Sequence, residues 1–428
     1  MTEHEIAGLG PAFAAYLSRY RSCFLQKRTA AHFDNYCRGL PSDLPRKTVE
    51  PIALEAGTAV RTLQEFLTTA RWDHPHMRDL LQRQLADALA EVPTDTLGTV
   101  GVLDETSCRK WGDETPGVQR QYLGCVGKVD NGIVTVHVGV AKGRFQALLD
   151  ADLYLPQAWD ADHPRCLSAG IPDEVRYRPK WRIALEQLIR LHGNGISFDW
   201  LVCDEGYGAA VPLLRVLNAV GQRFVAEVPV NFAVADGIDG PTQRADQRLR
   251  ASDAKRDKRQ RLADQTVQDS VWRASTAKVW VAGREYLLMV AINEATAEVK
   301  YFLSNAVSTA VEQLLAVAFC RWNVEHSFRL AKQEAGLMHY EGRDYTGLMR
   351  HLILALVVLG FVATQTERLR GEKSAGDSGA GLPGVKPALR DRVASSSGGT
   401  RKAASERSHR LSPAAKRASD EIPQETAA

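Results

Sequence analysis

Three acidic residues stand in contexts that can support metal-dependent chemistry. Asp104 follows the apolar run 100–103, Asp204 follows the apolar run 198–203, and Glu325 lies inside a long helical pattern. Carboxylates at the carboxyl ends of apolar strands are placed where α/β sheets bind ligands. Two carboxylates from strands and one from a helix can converge on a pair of Mg²⁺ ions, which prefer oxygen ligands. Such a pair would activate the attacking oxygen and stabilise the leaving oxygen of a phosphoryl displacement.

Each of these residues also has a purely structural interpretation. A strand-terminal aspartate is often a turn former or a helix N-cap. Glu325 equally fits a solvated helix residue that pairs with Arg321 or Arg329. Glu105 and Glu205 are alternative ligands, but neighbours on an extended strand point to opposite faces, so at most one residue of each acidic pair should face the site.

The spacing around Glu325 favours the functional interpretation. Arg321, Glu325 and Lys332 fall at positions i, i+4 and i+11, which keeps them along one side of a helix. A carboxylate flanked by cations suits a site that holds metal and also binds DNA phosphates. An intrahelical ladder of ion pairs would give the same spacing, at about 0.3–0.5 kcal/mol for each pair.

The elements that must position these residues begin with helices. Residues 1–95 show apolar side chains at helical spacing, which predicts a helical N-terminal region. Within it, the segment 46–57 predicts a short helix that ends at a glycine and is followed at once by another helix. This outline is typical of a helix-turn-helix that reads DNA, and it is also common in helical bundles that bind no DNA.

Strands and helices alternate from Thr99 onward, which predicts a mixed α/β domain. The segment Asp130-Asn131-Gly132 predicts the turn of a β-hairpin. Strands are expected over 100–103, 122–129, 133–141, 198–203 and 224–228 and within 145–155, and helices over 180–192 and 209–219.

The pattern changes again after residue 228. The segment 244–261 holds eight Lys or Arg residues against three Asp, and the runs 271–281, 286–292 and 301–303 are rich in β-branched and aromatic residues. We therefore predict a β-rich insertion with a basic loop, and then helices. The expected organisation is a helical region at 1–95, the first part of the core at 96–228, the insertion at 229–310, the helical remainder of the core at 311–370 and a disordered low-complexity tail at 371–428.

Composition limits the classes of protein to which the chain can belong. Its 428 residues are 44% hydrophobic with a formal net charge of +3, which excludes a mainly disordered protein. The strongly apolar stretch 352–363 is shorter than the roughly 20 residues of a membrane-spanning helix, and no signal sequence is expected at the start. Seven cysteines without zinc-ligand spacing favour reduced thiols and a cytoplasmic location.

The acidic residues and their neighbours resemble a known family. Their order and flanking sequences, Val-Leu-Asp-Glu-Thr, Val-Cys-Asp-Glu-Gly-Tyr-Gly and Arg-Trp-Asn-Val-Glu-His-Ser-Phe-Arg, are similar to those of DDE transposases of bacterial insertion sequences. The resemblance is to the insertion-sequence 701 family, a relative of the insertion-sequence 4 group. Arg321, Glu325 and Lys332 match the last three positions of that group's motif Y-x2-R-x3-E-x6-K, whereas Ala318 stands in place of the tyrosine. Further similarity lies in 36–40, 46–48, 300–305, 336–343 and 350–352.

The resemblance implies an α/β, RNase H-like catalytic core that is interrupted by a β-rich insertion. It also implies DNA cleavage at terminal inverted repeats and strand transfer into target DNA, with two Mg²⁺ ions held by Asp104, Asp204 and Glu325 and with Mn²⁺ as a substitute. By the same resemblance, Arg321 and Lys332 contact the backbone of the transposon end. The partner is then double-stranded DNA, bound by a homodimer in the cytoplasm, at the nucleoid.

Two other functions remain open from the sequence. One is a DNA-binding regulatory protein that descends from a transposase and binds repeats without cutting them, although the presence of all three carboxylates argues against it. The other is a stand-alone metal-dependent nuclease that cleaves DNA without joining it.

Overall fold

The computed structural model describes residues 3–250, 259–262 and 270–371. The predicted disordered tail lies outside the described residues, except for Gly371, and so does part of the basic loop 244–261. The side chains of 322–327 also lie outside them, so the helix that carries Glu325 is described there by its backbone alone.

The N-terminal region is helical, as its apolar spacing predicts. Its helices are α1 (Glu3–Ser18), α2 (Lys27–Gly39), α3 (Val49–Glu55), α4 (Val60–Thr68) and α5 (His74–Glu91). The side chains that recur at helical spacing point inward, and Phe13, Tyr20 and Phe33 have no exposed surface. The ring of Phe13 packs against that of Phe361, with 4.7 Å between centroids. The N-terminal helices therefore share a core with the C-terminal part of the chain.

The strands of the remaining described chain build one mixed sheet. Its strands are β1 (Thr99–Arg109), β2 (Gln119–Leu123), β3 (Lys128–Lys142), β4 (Phe145–Leu153), β5 (Trp200–Cys203), β6 (Phe224–Val228), β7 (Ala233–Ala235), β8 (Thr242–Arg244), β9 (Arg259–Leu262), β10 (Ser270–Val281), β11 (Arg284–Asn293) and β12 (Val299–Ser304). They follow the order β2-β3-β1-β5-β6-β12-β11-β10-β7-β8, with β4 beside β3 and β9 beside β10. β1, β5 and β6 are parallel, whereas β3 is antiparallel to both β1 and β4. The fold class is therefore α/β with a mixed sheet.

Helices cover both faces of this sheet. They are α6 (Gln157–Asp160), α7 (His163–Ser168), α8 (Lys180–Gly193), α9 (Glu205–Gly208), α10 (Val211–Ala219), α11 (Ala245–Arg248), α12 (Val311–Glu334) and α13 (Tyr345–Gly371). α8 forms an ion pair with Glu105 and α12 forms one with Asp104. Because these successive strand residues point to opposite faces, α8 and α12 lie on opposite sides of the sheet.

The segment 229–310 continues the same sheet. β12 pairs antiparallel with β6, and β11 and β10 follow it outward. The strands predicted over 271–281, 286–292 and 301–303 are confirmed as β10, β11 and β12. The division between core and insertion stays a prediction, since main-chain hydrogen bonds cross it without a break.

The predicted hairpin turn at 130–132 is wrong. β3 runs through these residues, and the turn lies at 124–127, where Gly127 has a φ of +66°. Asn131 stays in the strand because its side-chain amide donates to two backbone carbonyl oxygens just after β1, at 2.9 and 2.8 Å. Gly132 permits a close approach of strands: a β-carbon there would lie 2.3 Å from a carbonyl oxygen of β1.

α13, which contains the apolar stretch 352–363, is a buried core helix. Leu352, Leu354 and Leu356 have no exposed surface. Among the described residues α13 is long and apolar enough, by length and composition alone, to cross a membrane, but 78% of its apolar window is buried by the rest of the protein. Burial of this extent is what the core helix of a folded domain shows.

The helix–glycine–helix outline predicted for 46–57 and its successor is present as α3 and α4. Gly57 between them has a φ of +63°, which glycine adopts without strain. The carboxyl end of α4 is bound by the buried Arg350, whose guanidinium donates to the carbonyl oxygens of Leu67 and Thr68 at 3.0 and 3.3 Å. A cation at this end offsets the helix dipole. The helix pair is therefore anchored to α13, and DNA reading by it stays a prediction.

Candidate active site

Asp104 does not close its strand, contrary to the prediction. β1 continues to Arg109 because it pairs with β3 along its whole length, with Asp104 opposite His137. The Asp104 side chain is buried, and its Oδ1 accepts a hydrogen bond from the backbone N–H of Glu105 at 2.7 Å. Burial lowers the pKa of His137 to about 3, so this neighbour is neutral. Asp104 thus lies inside a long strand, at the point where the adjacent β5 ends.

Asp204 follows the last residue of β5, as predicted. β1 and β5 pair in parallel with Leu103 opposite Cys203. Asp104 within β1 and Asp204 just after β5 therefore each follow one residue of this pair, and paired strands lie about 4.8 Å apart. Asp204 also caps α9, because its Oδ1 accepts a hydrogen bond from the backbone N–H of Tyr207 at 3.2 Å. Asp204 therefore acts as the N-cap of α9 at the same end of the parallel strands at which Asp104 lies.

The neighbouring glutamates have other surroundings. Glu105 forms an ion pair with Lys180 of α8, at 2.5 Å between Oε2 and Nζ. Glu205 is exposed at the start of α9. On β1 the strand alternation therefore presents Asp104 to α12 and Glu105 to α8, as expected for adjacent residues.

α12 brings the cationic site residues over the sheet. Arg321 Nη1 lies 3.8 Å from Asp104 Oδ2. Lys332 lines, together with Asp104 and Arg321, a cleft of about 360 Å³. Glu325 lies on the backbone of α12 one turn after Arg321 and about two turns before Lys332. Three further residues of α12 line the cleft: Phe328, Arg329 and Gln333.

The donor atoms beside β1 and β5 fit a hard divalent cation. Asp104 and Asp204 supply carboxylate oxygens, the ligands that Mg²⁺ prefers. The hydroxyl of Tyr207 is buried beside them without a hydrogen-bond partner among the described residues. Burial raises the pKa of Tyr207, and the charges of Glu105 and Asp204 add to the effect. Within the described side chains no three His, Cys, Asp or Glu residues lie close enough to hold a metal ion, so the two aspartates alone do not complete a site.

A third strand adds an acidic residue that the sequence analysis missed. β5 and β6 pair in parallel with Cys203 opposite Ala226. Glu227 therefore directly follows the partner of Cys203 on β6, while Asp204 directly follows Cys203 itself, just after the end of β5. The signal that could have revealed it is a single charge within the otherwise apolar strand Phe-Val-Ala-Glu-Val.

Glu227 is held by two cations. Its Oε1 lies 2.8 Å from Lys300 Nζ, and its Oε2 lies 3.6 Å from Arg321 Nη2. Arg321 thus lies between Asp104 on β1 and Glu227 on β6. The sheet and α12 together produce a row of acidic side chains opposed by cations.

Comparison with known proteins bears on this arrangement. The sequence profile of a family described as DDE superfamily endonuclease matches residues 19–284, which is more than half of the chain. The chain is also 32% identical over 222 residues to a protein of Microchaete diplosiphon described as a probable transposase for insertion sequence element IS701. That match covers 51% of this chain and 54% of the relative, so the chain spans about half the length of the relative it matches. The family profile includes Asp104 and Asp204 and ends before α12.

Proposed function

This chain belongs to the DDE superfamily endonucleases, and on that premise we propose that it is a DNA transposase that cleaves DNA at terminal inverted repeats and transfers the cut strand into target DNA. The observation that carries the proposal is that Asp104 and Asp204 directly follow Leu103 of β1 and Cys203 of β5, which are paired in the parallel sheet. α12 adds Arg321 and Lys332 to a cleft that Asp104 also lines. Carboxylates beside cations suit chemistry on a phosphodiester backbone.

We propose that the catalytic core is RNase H-like. Its support is the strand order β4-β3-β1-β5-β6, in which antiparallel strands come first and two strands parallel to β1 follow. In this proposal the segment 229–310 is an insertion that leaves the core after β6 and rejoins it at α12.

Asp104, Asp204 and Glu325 are the proposed ligands of two Mg²⁺ ions, for which Mn²⁺ is expected to substitute. The ions, when bound, supply activation of the attacking oxygen and stabilisation of the leaving oxygen. The protein holds the ligands in place: main-chain pairing fixes Asp104, and the cap of α9 orients Asp204. Glu325 is delivered by α12, whose Arg321 contacts Asp104.

Lys332 and Arg321 are the proposed contacts to the phosphates of the transposon end. Lys332 lines the cleft together with Asp104, so its positive charge lies next to the proposed metal ligand. Arg321 forms ion pairs with Asp104 and Glu227. To contact a DNA phosphate, its guanidinium must therefore move away from at least one of these carboxylates. The proposed partner is double-stranded DNA, which a homodimer would bind at two ends. The proposed location is the cytoplasm, at the nucleoid.

The test is strand cleavage and joining by the purified full chain with Mg²⁺ or Mn²⁺ on DNA that ends in the element's inverted repeats. Asp104→Ala, Asp204→Ala and Glu325→Ala are each expected to abolish cleavage, because removal of one metal ligand disables the reaction. Repeat binding, measured by gel shift, should change little. Equal cutting and joining in all three variants would show that the site is assigned wrongly.

A matched control separates loss of a carboxylate from loss of catalysis. Asp173→Ala removes an exposed aspartate that does not line the cleft. The activity of this variant should equal that of the wild type. The alternatives give different results in the same assay. A regulatory protein would bind repeats without nicking them with either metal, and a nuclease would cut without producing joined products.

A further inference from the structure

Glu227 has surroundings that the proposed reaction does not use. It directly follows Ala226, the strand partner of Cys203, its side chain is 15% exposed, and each of its oxygens faces a different cation. Lys300 of β12 takes one oxygen and Arg321 of α12 takes the other. Such an arrangement fixes the carboxylate from two sides.

The backbone under Glu227 is also fixed. Gly208, the last residue of α9, packs so closely that a β-carbon on it would lie 1.8 Å from the carbonyl oxygen of Glu227. The turn that begins at Asp204 therefore rests directly on β6. Asp204 and Glu227 are held in one rigid arrangement, with little room for either backbone to shift.

Arg321 is shared between two acidic partners. Its nitrogens lie 3.8 Å from Asp104 and 3.6 Å from Glu227, longer than the 2.7–3.2 Å of N–H···O hydrogen bonds. Because opposite charges attract, the guanidinium is expected to shift toward the remaining carboxylate when the charge of the other is removed. The anchored Glu227 therefore sets how close Arg321 comes to Asp104.

We propose that Glu227 is a positioning residue that holds Arg321 back from Asp104, so that the Asp104 carboxylate stays available to a divalent cation. This inference rests on the proposed metal site. Removal of the Glu227 charge lets Arg321 close on Asp104 and compete with the cation for its oxygens. In this proposal Glu227 does not itself bind the ion, because its two oxygens face Lys300 and Arg321.

The test is Mn²⁺ binding to the full chain without DNA, measured by the electron paramagnetic resonance signal of free Mn²⁺. Glu227→Gln is expected to weaken Mn²⁺ binding by about tenfold, whereas in an Arg321→Gln background the same substitution should change it by less than about threefold, because the effect acts through Arg321. Glu298→Gln is the matched control: it also removes a carboxylate near Lys300, at 3.5 Å, and should leave Mn²⁺ affinity unchanged.

Each other result has a defined meaning. Equal losses in both backgrounds would make Glu227 a direct ligand and overturn the positioning role, as would an unchanged affinity in Glu227→Gln. If the wild type bound no Mn²⁺, or bound it as well after Asp104→Ala, the proposed metal site would fall and this inference with it.

A second variant covers the case in which Glu227→Gln unfolds, as judged by thermal melting. Lys300→Met leaves Glu227 in place and frees it to attract Arg321 more strongly. Mn²⁺ affinity should then be unchanged or tighter. A tenfold weaker affinity in a folded Lys300→Met protein would contradict the proposal.

Discussion

Tyr36, Gly336 and His351 are far apart in the sequence and form one buried hydrogen-bonded chain. The hydroxyl of Tyr36 lies 2.9 Å from Nδ1 of His351, whose Nε2 lies 3.0 Å from the carbonyl oxygen of Gly336. These residues come from three segments that resemble family motifs, 36–40, 336–343 and 350–352. In the structure these three residues join α2 to α13 and to the segment after α12, which is a packing role.

The buried His351 predicts a pH dependence of stability. Burial lowers its pKa to about 4, below the value near 6.5 of an unfolded chain. Between these values the unfolded state binds more protons, so the free energy of unfolding falls as pH drops from about 6.5 toward 4. This histidine should account for about 2 kcal/mol of lost stability at pH 5.

Urea unfolding at pH 8 and pH 5 measures the effect. His351→Gln should reduce the stability difference between the two pH values by about that amount, although the variant is less stable at pH 8. His163→Gln, which changes an exposed histidine, should behave as the wild type. If the free energy of unfolding depended on pH identically in His351→Gln and the wild type, His351 would not be the cause of this dependence.

At the scale of elements, the short helix α9 connects two parts of the site. Asp204 caps its first turn, and Gly208 at its end touches β6. Four residues of helix would have little stability in isolation, because helix nucleation is unfavourable. The position of α9 is therefore set by β5 before it and β6 beneath it, and through them Asp204 is aligned with Asp104 and Glu227.

Gly208→Ala is expected to be strongly destabilising. The added methyl group would overlap the carbonyl oxygen of Glu227, a backbone atom that cannot move aside cheaply. Overpacking of this kind costs about 3 kcal/mol, and cleavage activity should fall as well because Asp204 is displaced. Gly237→Ala is the control, since a β-carbon at Gly237 meets no atom within 4 Å. Equal unfolding midpoints in urea for the two variants would contradict the close contact.

The whole molecule is tied together by polar contacts as well as by its apolar core. Asp150 of β4 is fully buried and forms an ion pair with Arg190 of α8 at 2.8 Å, and Arg190 also pairs with Asp152 at 2.6 Å. Gln82 of α5 donates a hydrogen bond to the same Asp150 carboxylate at 2.9 Å. This cluster connects α5 of the N-terminal helices to α8 and to β4 of the sheet. The same sheet contains β1, which carries Asp104 of the cleft.

Lys332 is expected to contribute to the binding of DNA by the whole molecule. If it contacts one phosphate of the transposon end, Lys332→Ala should weaken DNA binding about fivefold to tenfold and reduce the slope of log affinity against log salt by about 0.9. Fluorescence anisotropy at several salt concentrations measures both. Lys278→Ala, an exposed lysine on β10, is the control and should retain the wild-type slope. An unchanged slope for Lys332→Ala would show that Lys332 does not contact the DNA phosphates.

Local sequence patterns were sufficient to predict many of the helices and strands and part of the candidate site. Apolar spacing and β-branched runs depend on neighbouring residues, which is why α8, β6 and β10 to β12 match the predictions closely. The same reasoning placed Asp104 and Asp204 next to apolar strands. The length of β1 and the position of the β2–β3 turn were missed, since both depend on pairing between strands distant in sequence.

The sequence by itself determined which side chains can do chemistry: two strand aspartates and a helix bearing Arg321, Glu325 and Lys332. Only the tertiary structure decided that Asp104, Asp204 and Glu227 each follow one of three aligned residues, Leu103, Cys203 and Ala226, in parallel strands and that Arg321 lies between Asp104 and Glu227. The reason is physical. Strand register arises from hydrogen bonds between segments that are 20 to 100 residues apart, and no local pattern encodes which residues those bonds bring side by side.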